Sequence, residues 1–287
     1  MAEITTALIT DLRNRTNAGM MDCKKALIET QGDMDAAIKV LRERGQAIQV
    51  KRASKEANQG VVSAAASADG KVLALVEVNC ETDFVAKTDN FKKFVASVTA
   101  KVLAGGEHVV ETMQDDLVGI VAATGENVKI RRVTRYALAG TGCIASYIHM
   151  GGKVGVLVEV ACAKAETAAN PVFADLAHDL SLQIAAAAPR WLKSAEVPAD
   201  VIAGEKDIFR KQIEEQNKEK PKPANILEKI LDGKIKKFFG EVCLVDQIFV
   251  KDEAKKLTIA QLVSATAKKL GDTVSIRRFV RYQLGAT

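Results

Sequence analysis

Residues 81–85 place an acid, Asp83, directly beside a large aromatic side chain, Phe84. The apolar run 72–78 before them predicts a strand, and the helical spacing of apolar residues in 91–98 predicts a helix after them. This acid and this ring can serve the fold, with Asp83 capping the helix and Phe84 packing against the core. They can also serve as contacts for a partner protein. Both interpretations are open on this segment alone.

Residues able to catalyse a reaction or to bind a metal are few. The glycine-rich residues 151–155 lack the spacing of a phosphate-binding loop and predict a hairpin turn. The three histidines lack the spacing of metal ligands, and no set of nucleophile, base and acid stands out. His149, just before the turn, is a candidate for a partner contact as much as for a structural role. We therefore expect no cofactor and no metal, and a binding protein rather than an enzyme.

The composition indicates several domains and no disulfides. A length of 287 residues predicts two or three domains. The five cysteines are odd in number and far apart, so we expect reduced, mostly buried thiols in a cytoplasmic protein. No stretch is apolar enough to span a membrane, and the first residues lack a secretion signal. An aromatic content of 5% and a net charge of +5 argue against a surface devoted to base stacking.

Residues 1–45 have the pattern of three short helices around a small core. Asp22 predicts the start of the second helix, and Asp33 predicts the start of the third, which we expect to end at Gly45. The pattern is similar to that of ubiquitin-associated-like three-helix domains. Residues 46–59 are polar and basic, and they predict either a linker or a solvated helical extension.

Met20 and Met21 lie on the predicted loop between the first two helices. Two methionines on a tight loop are difficult to bury together. Either one of them fills the small core, or the pair forms an adaptable contact surface for a partner protein.

The chain repeats itself after residue 60. Residues 70–80 recur as residues 152–162, and residues 128–136 recur as residues 274–282. Each copy predicts a hairpin, then helices, then an edge strand that ends at an Arg-Arg motif. The expected fold class is therefore α+β, with two small antiparallel three-stranded sheets that carry helices on one face.

The predicted domains are 1–45 (three helices), 46–59 (linker), 60–140 (first α+β subdomain) and 141–287 (second α+β subdomain). The second subdomain is longer because it contains an insertion after Trp191. Its narrow apolar stripe, broken at Pro221 and Pro223, predicts a protruding helical hairpin at about 195–238. We expect the charged run 211–222 at its tip to be solvated surface rather than a nucleic-acid-binding site.

The two copies differ where Asp83 and Phe84 occur. The second copy has Ala165 and Glu166 at these positions. If capping and packing were the only roles of the acid and the ring, both copies would be expected to keep them. The contrast favours a functional role.

Long motifs throughout the chain resemble bacterial elongation factor Ts. They are residues 12–27, 77–87, 130–132 and 146–149. The resemblance implies a guanine-nucleotide exchange factor of translation elongation, which binds elongation factor Tu in its GDP-bound and nucleotide-free forms and promotes GDP release.

The resemblance also implies the contact residues. Family members bind the GTPase domain of their partner through the N-terminal domain, which here contains Met20 and Met21. They also bind it through a segment that dislodges the magnesium ion, here Thr82, Asp83, Phe84 and Val85. The histidine that matches His149 contacts the partner's far domain. No catalytic residue, nucleic acid or membrane is implied.

Two other functions are compatible with the residues. A pI of about 8.8 and the arginines at 131–132 and 277–278 fit an RNA-binding or ribosome-associated accessory protein. The same arginines, placed symmetrically in both copies, suit internal ion pairs at least as well. A small-molecule enzyme with a site between the subdomains has no supporting residue.

Overall fold

The computed structural model describes residues 4–16, 18–219 and 223–286. It confirms the α+β class, with an N-terminal helical region and two antiparallel three-stranded sheets. The helices are α1 (Thr6–Thr16), α2 (Met20–Glu29), α3 (Met34–Arg52), α4 (Asp83–Ala86), α5 (Asp89–Gly105), α6 (Gln114–Thr124), α7 (Ala165–Ala168), α8 (Pro171–Ala187), α9 (Ala199–Glu219), α10 (Ala224–Val242) and α11 (Ile259–Leu270). The strands are β1 (Gln59–Ala66), β2 (Val72–Cys80), β3 (Lys129–Ala137), β4 (Gly142–His149), β5 (Val154–Cys162) and β6 (Val274–Gln283). Short 3-10 helices span Glu107–Met113, Ser194–Glu196 and Leu244–Asp246.

The first three helices enclose a small core that includes Leu12 and Leu27. Asp33 caps α3 as predicted, because its carboxylate accepts a hydrogen bond from the backbone N–H of Ala36 at 2.9 Å. The predicted cap of α2 is wrong. This helix begins at Met20 after an extended Gly19, so Asp22 lies inside the first turn.

The predicted end of α3 at Gly45 is also wrong, because the helix continues to Arg52. A Cβ atom on Gly45 would come within 2.8 Å of a methyl carbon and 2.9 Å of the carbonyl oxygen of Val118 in α6. The glycine permits two helices to approach closely, and in the sequence it looks like a helix stop. Of the predicted linker, residues 46–52 therefore form the helical extension.

The first sheet has β2 at its centre, with β1 and β3 antiparallel on its two sides. The β1–β2 hairpin turns near Gly70 as predicted, at a φ of 66° that glycine adopts without strain. Phe91 of α5 is fully buried in one core cluster with Val78 of β2. Arg131 and Arg132 lie near the start of β3 and not at its end, which corrects the prediction.

The second sheet repeats this arrangement in the order β4-β5-β6. Its hairpin turns at Gly151 and Gly152 as predicted, with φ values of 64° and 93°. Phe173 of α8 is fully buried, as is its counterpart Phe91. The repeat in the sequence is therefore a repeat in structure.

The insertion is a helical hairpin of α9 and α10, which extends from residue 199 to residue 242 rather than from about 195 to 238. The Nζ atom of Lys234 on α10 lies 5.4 Å from the ring centroid of Phe209 on α9. Pro223 is the N-cap of α10. Pro221 and the last part of the charged run 211–222 lie outside the described residues.

The chain divides into two compact units. Unit 1 consists of Met1–Ala137, Ile148–Gly155 and Tyr282–Thr287, and unit 2 consists of Leu138–Tyr147 and Val156–Arg281. Apart from the corrected end of α3, the four predicted domains stay a prediction.

The five cysteines are free thiols, and all except Cys143 are buried. Within the described ranges, no helix is long and apolar enough to cross a membrane.

Candidate functional site

The segment at the exit of β2 forms the short helix α4. Its N-cap is Thr82, whose hydroxyl oxygen accepts a hydrogen bond from the backbone N–H of Val85 at 3.3 Å. Asp83 is the first helical residue, so the interpretation of Asp83 as the cap is wrong. The hydroxyl of the preceding residue already satisfies the donor that a capping carboxylate would accept.

Phe84 does not pack against its own core. Its side chain is 78% exposed, whereas the next residue, Val85, packs against the core cluster of the first sheet. The prediction of a helix stapled by Phe84 is therefore wrong. An exposed phenyl ring contributes little to the stability of the free protein, because its apolar surface stays in water.

Two carboxylates fix the backbone from which α4 starts. The Glu126 carboxylate accepts hydrogen bonds from the N–H of Glu81 at 3.1 Å and of Thr82 at 3.0 Å, and from the Thr82 hydroxyl at 2.6 Å. The Glu81 carboxylate in turn accepts hydrogen bonds from the backbone N–H of Asn127 at 2.7 Å and from an Arg52 guanidinium N–H at 3.1 Å. This reciprocal arrangement holds the exposed ring on a rigid support.

Sequence reasoning missed Glu126 and Arg52. Glu126 directly follows Gly125, which ends α6 in the left-handed conformation at a φ of 69°. A glycine stop followed by an acid is too common a pattern to indicate a support for a loop that is distant in sequence. Both interpretations of residues 46–59, a linker or a solvated helical extension, leave Arg52 without a partner in the fold.

The Asp83 carboxylate is accessible to solvent and forms an ion pair with a neighbouring lysine. It accepts a hydrogen bond from the Lys87 ammonium at 2.6 Å, an exposed pair one helical turn apart. That bond lowers the pKa of Asp83, so the carboxylate is ionised at neutral pH. By contrast, burial and then the nearby Glu126 charge raise the pKa of Cys80 to about 12, which keeps its thiol neutral.

The second copy builds the same loop with Ala165 in place of Asp83 and Glu166 in place of Phe84. Its carboxylate is Asp272, which follows Gly271 as Glu126 follows Gly125, and it accepts the N–H of Lys164 at 2.9 Å. Burial acts to raise the pKa of Asp272, but hydrogen bonds from Thr167 and from the backbone lower it on balance. The helix α7 that follows begins with Ala165 and Glu166, both exposed.

Met20 and Met21 lie in the first turn of α2 and not on a loop, and their side chains are 41% and 63% exposed. The interpretation that one of them fills the core is therefore wrong. Ile28, which the sequence reasoning missed, is also exposed and lies two helical turns from Met21 on the same helix. The spacing of seven residues between Met21 and Ile28 indicates a shared helix face only if both lie on α2. The sequence prediction placed Met21 on a loop, so this shared face was not predicted.

His149 is exposed at the end of β4. The turn that follows is bound to the first sheet within unit 1, because the Gly152 carbonyl accepts the N–H of Val62 in β1 at 2.8 Å. A Cβ on Gly152 would overlap the Val61 side chain, so a glycine is needed for this approach. The structure thus holds His149 in the same unit as Met20, Met21 and α4.

The second arginine of each Arg-Arg motif forms an ion pair inside its own copy. Glu77 is completely buried and accepts a hydrogen bond from Arg132 Nε at 2.7 Å, and the Arg132 guanidinium stacks on the Tyr282 ring at 4.3 Å. In the second copy, Glu159 accepts the corresponding bond from Arg278 Nε at 2.7 Å. These contacts favour internal ion pairing over phosphate contact for Arg132 and Arg278.

No group of three or more His, Cys, Asp or Glu side chains that could hold a metal ion occurs in residues 4–16, 18–219 and 223–286. The fold and the site define an α+β protein with a duplicated sheet unit, in which one copy presents an acid and an aromatic ring on a rigidly supported short helix.

Comparison with known proteins identifies the family. The family model for elongation factor TS matches residues 81–286. Elongation factor Ts of Trichlorobacter lovleyi is 43% identical over 295 residues, covering 98% of this chain and 93% of the relative. Elongation factor Ts of Symbiobacterium thermophilum is 44% identical over 289 residues, covering 99% and 93%. That of Nitratidesulfovibrio vulgaris is 41% identical over 282 residues, covering 98% and 96%. The chain belongs to the elongation factor Ts family and is a translation elongation factor.

Proposed function

We propose that this chain binds elongation factor Tu in the cytoplasm and promotes release of its GDP, without catalysing a chemical reaction. The observation that carries the proposal is the exposed Phe84 ring on a helix whose start is fixed by Glu126. A ring with no role in its own core, held rigidly at the surface, is suited to enter a pocket of a partner.

The Phe84 ring is fully buried in the partner only when GDP is absent. Its burial therefore stabilises the nucleotide-free complex more than the GDP-bound complex. By linkage, a factor that lowers GDP affinity a hundredfold is itself bound about a hundredfold less tightly when GDP is present, a coupling of about 2.7 kcal/mol. Burying a phenylalanine side chain contributes about 1.5–3 kcal/mol. One inserted ring is therefore of the right size to drive most of the exchange.

Asp83 brings negative charge beside the ring. Magnesium in GTPase sites needs a nearly ideal octahedral set of oxygen ligands, so a small displacement of the elements that hold it weakens nucleotide binding. In the complex, the Asp83 carboxylate exchanges Lys87 for a donor of the partner and disturbs the magnesium and phosphate site. Thr82 and Val85 hold the segment, one by capping it and the other by packing on the core.

Four other residues complete the proposed interface. Met20 and Met21 offer adaptable apolar surface for the GTPase domain, extended by Ile28 along α2. His149 contacts the far domain of the partner from the β4–β5 turn. All of them, like α4, belong to unit 1, so one compact body carries the whole proposed contact set.

The test follows the release of fluorescent GDP from elongation factor Tu with and without this protein. The wild type accelerates release, and Phe84→Ala reduces the acceleration about thirtyfold, because truncating a buried interface aromatic costs about 2 kcal/mol. Phe84→Ala leaves the melting temperature unchanged, since it removes no core contact. Val50→Ala is the matched control, because Val50 is also 78% exposed and lies outside the proposed interface.

Equal exchange activity of wild type, Phe84→Ala and Val50→Ala would contradict the role of Phe84. Absence of any acceleration by the wild type would contradict the function itself.

A further inference from the structure

One helix of unit 1 belongs to both of its cores. The helix α3 is continuous from Met34 to Arg52, and at 1.5 Å per residue it is about 28 Å long. Leu41 in its first half is buried in the core of the first three helices. Ile48 in its second half packs against the core of the first sheet. The helix therefore joins the small N-terminal core to the sheet without an intervening loop.

The crossing of α3 and α6 is too close for a side chain at residue 45. A Cβ atom on Gly45 would lie 2.8 Å from a methyl carbon of Val118, 2.9 Å from the Val118 carbonyl oxygen and 3.0 Å from the Ala122 methyl group. A change of side-chain rotamer moves neither the carbonyl oxygen nor the Ala122 methyl group. Any side chain at residue 45 must therefore move one helix relative to the other.

Contacts before and after Gly45 also fix this crossing. Before it, Arg42 of α3 forms an ion pair with Asp115 in the first turn of α6. After it, the side-chain amide of Asn127, just beyond α6, donates to the Lys55 carbonyl, just beyond α3, at 2.7 Å. Rotation of one helix about the Gly45 contact would break one of these bonds.

The exposed surface of Met20 and Met21 is attached to α3. Both methionines lie on α2. This helix buries Leu27 in the core of the first three helices, and Glu29 at its end forms an ion pair with Arg44 of α3. The two methionines therefore follow any movement of α3.

The support of Phe84 is attached to the same two helices. Arg52, the last residue of α3, donates to the Glu81 carboxylate at 3.1 Å. Glu126, just beyond α6, accepts the N–H of Thr82 at 3.0 Å. Each of the two crossing helices therefore ends at the residues from which α4 starts.

We propose that Gly45 is a positioning residue for nucleotide exchange. It fixes the separation between Phe84 and the surface of Met20 and Met21, so that both contact one molecule of elongation factor Tu at the same time. The inference rests on the proposed function. When two contacts are held on one rigid body, the second forms inside the complex at a high effective concentration, and this gain is lost when the geometry does not match.

A double-mutant cycle tests whether Gly45 acts through this separation. Gly45→Ala adds the methyl group that displaces α3 from α6. Met20→Ser with Met21→Ser removes one of the two surfaces. Isothermal titration of nucleotide-free elongation factor Tu measures the affinity of the full chain with neither change, with each change and with both.

We expect Gly45→Ala to weaken binding about tenfold when the methionines are present, because the two surfaces no longer fit together. Where both methionines are replaced, we expect a loss of less than about twofold, since a single surface has no separation to keep. A glycine that served only the stability of the fold would cause the same loss in both backgrounds.

Gly119→Ala is the matched control. It adds the same methyl group to α6, beside Val118, at a position where a Cβ atom meets nothing within 4 Å. We expect its affinity to stay within about twofold of the wild type in both backgrounds. Thermal melting checks that each variant is folded at the temperature of the titration.

A second variant serves if Gly45→Ala does not fold. Arg42→Glu sets two carboxylates against each other at the same crossing, and because the pair with Asp115 is exposed, the cost to folding is small. We expect it to weaken binding about threefold in the presence of the methionines only, and we expect Asp115→Arg to restore the affinity.

Residual dipolar couplings test the junction without the partner. We expect the backbone N–H couplings of α2 and β2 in the free wild type to fit one alignment tensor. A need for two independent tensors would overturn the proposal, because the separation would not be fixed.

Two binding results would also overturn it. They are an unchanged affinity in Gly45→Ala, and an equal loss in the two backgrounds for Gly45→Ala or, in its place, for Arg42→Glu. Either result, with a wild type that still accelerates GDP release, contradicts the positioning role alone. A wild type that neither binds elongation factor Tu nor accelerates release contradicts the proposed function itself.

Discussion

The two strand-to-helix loops, residues 80–86 after β2 and residues 162–168 after β5, share a backbone design. In each, a cysteine thiol donates to the carbonyl two residues later, at 3.1 Å from Cys80 and at 3.4 Å from Cys162. In each, a carboxylate after a left-handed glycine accepts a backbone N–H of the loop, Glu126 in one copy and Asp272 in the other.

The side chains that project from the two loops differ. The first loop presents Asp83 and Phe84 to solvent, and the second presents Ala165 and Glu166. Since the second loop folds with alanine in place of Asp83 and glutamate in place of Phe84, neither Asp83 nor Phe84 is needed for the backbone. The comparison separates what builds the loop, which both copies have, from what the first copy adds to it.

The largest expected effect concerns the ion pair between a buried glutamate and an arginine, which both copies contain. Arg132→Ala leaves the buried Glu77 carboxylate without its cation, and breaking a buried pair in this way costs about 3–5 kcal/mol. Arg278→Ala costs less, because Glu159 keeps Arg277 at 3.7 Å. Urea unfolding of both variants measures the difference, with the exposed Arg131→Ala as a control. Equal losses would show that the second arginine does not compensate.

The next effect comes from exchanging the loops' side chains. The double variant Asp83→Ala with Phe84→Glu gives the first loop the residues of the second, and we expect the same melting temperature with GDP release slowed at least about thirtyfold. The reverse variant, Ala165→Asp with Glu166→Phe, should leave exchange unchanged. A loss of stability in the first variant would mean that the acid or the ring does support the fold.

A smaller effect is expected from the supporting carboxylates. Glu126→Ala leaves two backbone N–H groups and a hydroxyl without their acceptor, which costs about 2 kcal/mol, and the loosened α4 also slows exchange. Asp272→Ala should destabilise the chain by about 1 kcal/mol, with unchanged exchange per folded molecule. Unfolding curves combined with GDP release measure both. If Asp272→Ala also slowed exchange, the two loops would not be functionally distinct.

The smallest effect concerns the pH dependence of Asp83. Its pKa is lowered in the folded chain by Lys87, so its contribution to stability is present above the unfolded pKa and is lost as pH falls through the folded value. Because the pair is exposed, we expect hardly any change in unfolding. NMR titration should show the Asp83 midpoint rise towards the usual value in Lys87→Ala. An unchanged midpoint would show that the pair does not form in solution.

Much of the fold could be predicted because its patterns are local. The continuous apolar run of β2, the glycines at both hairpin turns and the cap at Asp33 each indicate structure within a few residues. The duplicated motifs predicted two similar sheets. Gly45 was misread because a glycine at a close helix crossing and a glycine at a helix end are identical in sequence, and only the presence of Val118 distinguishes them.

The sequence by itself determined the family resemblance, the duplication, and the contrast of Asp83 and Phe84 with Ala165 and Glu166. Only the tertiary structure decided that Phe84 faces solvent and that Glu126 supports the loop from which it projects. The physical reason is that burial and hydrogen bonding depend on residues distant in the chain. A phenylalanine after a strand has the same local pattern whether its ring enters its own core or is left for a partner.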